Sequence, residues 1–326
     1  MKKRKRLEAA VSGGQVDRVP VALWRHFPGD DQRAEDLAAA HVAFQREYDW
    51  DFVKVSPASS FCLRDWGVED RWEGHNEGTR RYTRRVVQAP EDWLALKVLE
   101  PTEGALGRQL KCLELLHEEF GEDVPFIQTI FSPLAQARNL AGEELLTLHI
   151  RLNAGQIHHA LQTIADTTVR FIHEAKKRGI AGIYYAVQQA SYERLSEAEY
   201  QVLGRPYDLQ VLSALDGLWF NMLHLHGAHG MFGLVADYPV QAVNWHDRES
   251  PPRLAVGLKM IKGAASGGVS REALHDENPE LALEQARDAF AQTGSKRWIL
   301  STGCVALVTT PQGNIRKLRA LAEELK

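Results

Sequence analysis

Short apolar runs alternate along this chain with stretches of helical spacing. "VPVALWRHF" (19–27) and "WDFVKVSP" (50–57) read as strands on either side of "QRAEDLAAAHVAFQREY" (32–48), which has helical composition and period. "TEGALGRQLKCLELLHEEFG" (102–121) is again helical and precedes strand-like "VPFIQTIF" (124–131). Residues 143–179 contain two or more helices and lead into "IAGIYYAVQQAS" (180–191), a buried strand opening into a polar loop. Further strand candidates lie at 220–227, 242–248 and 297–303, with a helix at 278–294 before the last. Residues 63–87 break the rhythm as a polar, irregular excursion in which Trp66 and Trp72 either serve loop packing or close over a pocket.

Repeated strand–helix steps predict an α/β fold with a parallel sheet under covering helices. No G-x-G-x-x-G or P-loop pattern accompanies an early strand, so a closed barrel is expected rather than an open nucleotide-binding sheet. The expectation is a single (β/α)8 TIM barrel over 19–326, after a basic N-terminal tail and lead-in segment at 1–18.

Bulk composition narrows the class. The chain has 326 residues, 44% hydrophobic and 25% charged, with a formal net charge of -4, which argues against a general nucleic-acid surface. No apolar run is long enough for a membrane span. The opening "MKKRKR" has no apolar h-region behind it and reads as a solvated tail, not a secretory peptide. Three scattered cysteines, Cys62, Cys112 and Cys304, suggest reduced thiols and a cytoplasmic protein.

Chemistry is expected at the C-terminal strand ends, where barrel enzymes gather their functional groups. His224 and His226 are two residues apart in a strand, so both imidazoles face one space. With Cys304 they offer three zinc ligands, and the fourth position is open to substrate, water, Glu249 or Asp247. Two other readings stay open: hydrogen-bonded core histidines beside an inert cysteine, and metal-free acid–base chemistry. Arg25, His246 and Asp247 are the catalytic candidates, Arg25 through its planar carboxylate-binding fork. Arg25, His26, Gln188 and Gln189 are expected to line a small-molecule site. Thr309 or Thr310 is expected to cap the last helix, with Pro311 in its opening turn.

Taken together, "RVPVALWRHF", "YDWDFVKVSP", "HLHG", "AVNWHDR" and above all "STGCVALVTTPQGNIRKL" resemble the uroporphyrinogen decarboxylase superfamily, over almost the whole chain. That resemblance implies a (β/α)8 barrel and a homodimer. The sequence departs from true decarboxylases: Gly29 stands where their second arginine is expected, Ala58 near their pyrrole-binding aspartate, Gln188 near their serine and Cys304 at their late histidine. It is more similar to the zinc-dependent corrinoid methyltransferase branch. His224 matches the histidine of a His-x-Cys motif, Cys304 matches the later cysteine, and His226 replaces the first cysteine. Glu249 lies where related methionine synthases place a glutamate between these ligands. The resemblance implies a zinc-dependent methyltransferase acting on a small thiol or related nucleophile. Methylcobalamin on a separate corrinoid protein is one donor it implies. The alternatives are a decarboxylase of a porphyrinogen or other carboxylated substrate, and a noncatalytic ligand-binding barrel.

Overall fold

The computed structural model describes residues 1–326. In chain order the strands are β1 (Val53–Val55), β2 (Glu69–Arg71), β3 (Arg81–Arg84), β4 (Phe126–Phe131), β5 (Gly182–Val187), β6 (Met222–Leu225), β7 (Ala242–Trp245), β8 (Ala264–Val269) and β9 (Trp298–Thr302). Seven of them form one parallel sheet in the order β1-β4-β5-β6-β7-β8-β9. Each residue of these seven is buried, as expected for a parallel sheet covered on one face and filled on the other.

The chain at 19–24 supplies the eighth stave and closes the barrel. Ala22 N donates to Leu300 O and Leu300 N to Pro20 O on the β9 side, while Asp51 N donates to Val21 O on the other. Pro20 has no N–H to give, and the Val21 N–H is taken by the Asp51 carboxylate at 2.8 Å. That side-chain bond substitutes for a ladder bond, so the first stave is less regular than its neighbours. Helices such as Ala34–Tyr48, Gly104–Phe120, Ala154–Lys176 and Glu280–Thr293 surround the barrel. The apolar core is continuous from Leu7 to Leu325. No helix is long and apolar enough to cross a membrane.

Two stretches differ from the sequence reading. The basic start is no free tail: Lys3–Ser12 is a helix with Leu7 and Ala10 buried. Arg6 donates to Asp17 at 2.7 Å and to Asp51 at 2.6 Å, and Arg18 also donates to Asp51 at 2.6 Å. Two guanidiniums and one backbone N–H thus satisfy a fully buried carboxylate at the strand-entry end of the barrel. The polar excursion is an antiparallel hairpin, β2 with β3, fastened at its base by Arg64 and Arg80 on Asp70. Its tip reaches across the barrel mouth. Val308 N donates to Asn76 O, Thr309 Oγ1 donates to Asn76 Oδ1, and Arg271 pairs with Glu77 at 2.6 Å. Gly78 sits there at φ +76, where a Cβ would fall 2.5 Å from that of His26. Thr309 therefore holds the hairpin; neither it nor Thr310 caps the helix Gln312–Leu321, whose N-cap is Pro311.

Candidate metal centre

The sheet register sets the site. Ala186, His224, Asn244 and Ser266 lie level on β5 to β8, and His226 N continues the ladder by donating to Val187 O. His246 is the first residue past β7, and Cys304 lies two past β9. One donor atom from each of His224, His226, His246 and Cys304 lies within 4.8 Å of all the others. His224 Nε2 is 3.3 Å from His226 Nδ1, and Cys304 Sγ is 3.8 Å and 3.7 Å from those two nitrogens.

A second layer fixes the His224 ring. Asn244 Nδ2 donates to the carbonyls of Ser266 (2.9 Å) and Thr302 (3.1 Å), which leaves its Oδ1 facing His224. That oxygen accepts from His224 Nδ1 at 2.6 Å and from the Tyr184 hydroxyl at 3.1 Å. The proton of neutral His224 is therefore on Nδ1, and the Nε2 lone pair points at the cluster. Tyr184 stacks on the same imidazole with ring centroids 5.2 Å apart. His246 Nε2 is buried with no hydrogen-bond partner, a costly arrangement unless another group binds it.

Burial favours neutral imidazoles here. It pushes His224 well below the usual range, helped by His226 and His246; it lowers His226 to about 3 and His246 to about 4. Burial also raises the Cys304 thiol to about 11, although the Arg271 guanidinium opposes that rise. Near neutral pH the imidazoles are therefore uncharged and the thiol unionised. Three imidazoles and a sulfur are also the donor set a zinc ion takes, so the residues present fit that metal.

The remaining candidates from the sequence are distributed around this cluster. Glu249 is outside it, with its carboxylate 3.7 Å from His246 Nδ1. Asp247 turns to β8, where Oδ1 accepts from Gly268 N at 3.0 Å; a Cβ on Gly267 would meet the same oxygen at 2.4 Å. Burial raises that carboxyl to about 7. Arg25 lies over the Phe27 ring, near the Tyr48 hydroxyl and the Asp30 carboxylate, so it does not join the converging groups. His26 lies beneath the hairpin tip at Gly78. Gln188 accepts from Arg138 at 3.2 Å and lines a cleft that ends at His226. Gln189 is tied to Glu143 and Arg194.

Several residues of consequence escaped the sequence reading. Asn244 and Tyr184 are ordinary members of buried strands until their partners are known. Lys54 did carry a signal: a lysine between valines in an all-buried strand. Its ammonium lies 4.8 Å over the Tyr184 ring and 3.2 Å from Ser56 Oγ, and burial lowers it to about 7. Arg138 and Arg271 sit on loops and helices whose approach to the mouth only the fold reveals.

Comparison with known proteins agrees with this architecture. The methylcobamide:CoM methyltransferase MtbA of Methanosarcina acetivorans is 22% identical over 253 residues, covering 74% of this chain and 71% of that protein. Its counterpart from Methanosarcina mazei shows the same identity and coverage. Among solved structures, a methyltransferase from Methanosarcina mazei superposes with a TM-score of 0.85 at 18% identity, over 99% of both chains. A B12-independent methionine synthase from Shewanella sp. W3-18-1 gives 0.58 at 13% identity, over 97% and 96%. The family model described as uroporphyrinogen decarboxylase (URO-D) matches residues 2–325. The chain belongs to the uroporphyrinogen decarboxylase family.

Proposed function

We propose that this protein is a zinc-dependent methyltransferase whose acceptor is a thiol or related nucleophile. The carrying observation is the convergence of His224, His226, His246 and Cys304 within 4.8 Å, with His246 Nε2 left unpaired. His224, His226 and Cys304 would hold the metal with one position left for the acceptor sulfur, and His246 rather than Glu249 would occupy that position until the acceptor binds. Zinc bound there would supply the Lewis acidity that brings an acceptor thiol to its thiolate near neutral pH. Neutral imidazoles and one thiolate leave a dication with net charge +1, which favours an anionic sulfur in the remaining position.

The chain's own groups do the rest. Asn244 holds His224 in the tautomer that presents Nε2. Arg271 places positive charge near Cys304 and favours its ionised form. The hairpin tip, latched through Glu77 and Asn76, covers part of the mouth and limits water there. Since the MtbA relatives are methylcobamide-dependent by name, a methylated corrinoid on a separate protein is the donor we propose.

Metal analysis of protein purified without added zinc, followed by methyl-transfer assays from methylcobalamin to thiols, tests this reading. Near-stoichiometric zinc is expected in the wild type. Cys304→Ala should release much of it, and Cys304→Ser should do nearly as badly because an alcohol is far harder to deprotonate. Unchanged zinc content in well-folded Cys304→Ala protein would sink the ligand assignment.

A further inference from the structure

We propose that the cleft ending at His226 binds the body of an extended, at least dianionic acceptor. Calling that ligand the acceptor rests on the methyltransferase reading; its charge and size do not. The cleft has a volume of about 520 Å³ and is lined by Arg80, Arg81, Arg85, Arg138 and Gln188, among others. That is the space a drug-sized ligand occupies, well beyond a two-carbon thiol.

Charge accounting narrows the ligand further. Arg80 and Arg64 are balanced by Asp31 and Asp70, and the exposed Arg81 shares Glu73 with Arg71. Arg85 has no carboxylate within ion-pair distance: it lies over the Tyr82 ring and donates to the carbonyls of Arg138 and Asn139. Arg138 and Arg194 share one carboxylate, Glu143, at 4.0 Å and 3.0 Å. Glu77, the acidic residue of the lining, is engaged by Arg271. Arg85, Arg138 and Arg194 against Glu143 leave two positive charges without a counterion. In addition, Arg138 Nε is buried and unpartnered, while the rest of that side chain stays part-exposed at the cleft. A group with two negative charges, a phosphate ester or a pair of carboxylates, satisfies both through charge-assisted bonds. The reacting end of such a ligand would then meet the cluster at His226.

Isothermal titration calorimetry on the full-length purified protein tests the site without turnover. The probes are mercaptoethanesulfonate (a small thiol with one anion), coenzyme A (a thiol on a phosphorylated body), adenosine 3′,5′-bisphosphate and propane-1,2,3-tricarboxylate. We expect coenzyme A and at least one thiol-free polyanion to bind about tenfold or more tightly than mercaptoethanesulfonate. The better polyanion distinguishes phosphate from carboxylate recognition. Arg138→Gln should weaken polyanion binding at least about tenfold, while Arg138→Lys should retain most of it. Thermal melts identify any variant that fails to fold, in which case Arg85→Gln carries the comparison. Equal affinity for mercaptoethanesulfonate and the polyanions overturns the proposal. So does no measurable polyanion binding, or wild-type affinity in folded Arg138→Gln protein. Zinc content and methyl transfer are read separately, so loss of the metal reading leaves this result interpretable.

Discussion

Replacing Asn244 by alanine isolates the second layer from the ligands themselves. The side chain makes four buried hydrogen bonds: from His224 Nδ1, from the Tyr184 hydroxyl, and to the carbonyls of Ser266 and Thr302. The donors on His224 and Tyr184 would lose their acceptor in dry surroundings. At about 1–3 kcal/mol for each unsatisfied group, the folding cost is about 2–6 kcal/mol. The effect on metal is separate. Without Oδ1, nothing holds the His224 proton on Nδ1, and loss of such an outer partner typically weakens metal binding about 10–100-fold. That corresponds to about 1.4–2.7 kcal/mol. Competition with a chromophoric chelator measures the affinity, and a denaturant melt of the same preparation measures the folding cost. Asn244→Asp is the informative partner. It keeps an oxygen for His224 and Tyr184 but turns its second oxygen toward two carbonyls, where the protonated acid satisfies one and the carboxylate neither. Its stability should therefore fall as pH rises and the carboxyl ionises, with metal retained under mildly acidic conditions. Folded Asn244→Ala protein with wild-type zinc affinity would refute the assignment of this layer.

At the opposite end of the barrel, Asp51→Asn should cost about 3–5 kcal/mol in urea unfolding, because Arg6 and Arg18 lose the buried carboxylate between them and keep only the more exposed Asp17 and Glu323. Zinc content should not change, and a mild cost under about 1 kcal/mol would show that the pair is not the anchor described. A third expectation concerns acid. His41 is buried, accepts from Ser56 N at 3.0 Å, and is lowered to about 3 by burial. Its folded pKa lies below the unfolded value near 6.5, so its contribution is intact above pH ~6.5 and is lost as pH falls toward 3, by about 1.4 kcal/mol per pH unit. Guanidinium unfolding from pH 7 to 4.5 should show a shallower decline in His41→Gln, which keeps an acceptor but does not titrate. Parallel declines in the two proteins would rule His41 out as a source of acid lability.

Much of the barrel could be read from the chain because its strands are apolar runs buried on both faces. β8 was missed for a physical reason: "AASGGV" has neither bulk nor β-branching until its last residue. The small residues there admit neighbours. A Cβ on Gly268 would lie 2.8 Å from Ala289, and Gly267 makes room for the Asp247 carboxylate. The hairpin was equally hidden, since its short, largely exposed strands are held by ion pairs and carry no apolar alternation.

Within the site, the legible residues are those whose position a strand ladder fixes. His224 and His226 share a side because residues two apart in a ladder must, and hydrogen bonding to Val187 extends that ladder through His226. The same logic distinguishes His246 from Glu249, which sequence spacing could not do. His246 directly follows Trp245 at the end of β7, so its height at the rim is set by the sheet. Glu249 is three residues further on, in a turn where Glu249 N donates back to His246 O. That turn carries its carboxylate to His246 Nδ1 instead of into the cluster. Lys54 follows the ladder rule as well. Its place between Val53 and Val55 dictates that a buried strand carries an amine into the barrel, where it lies over the Tyr184 ring beside Ser56. The groups that reach the mouth from loops and helices, Arg138 and Arg271 among them, have no such constraint in the sequence. Their roles follow only from closure of the barrel, which brings the segments after different strands to one rim.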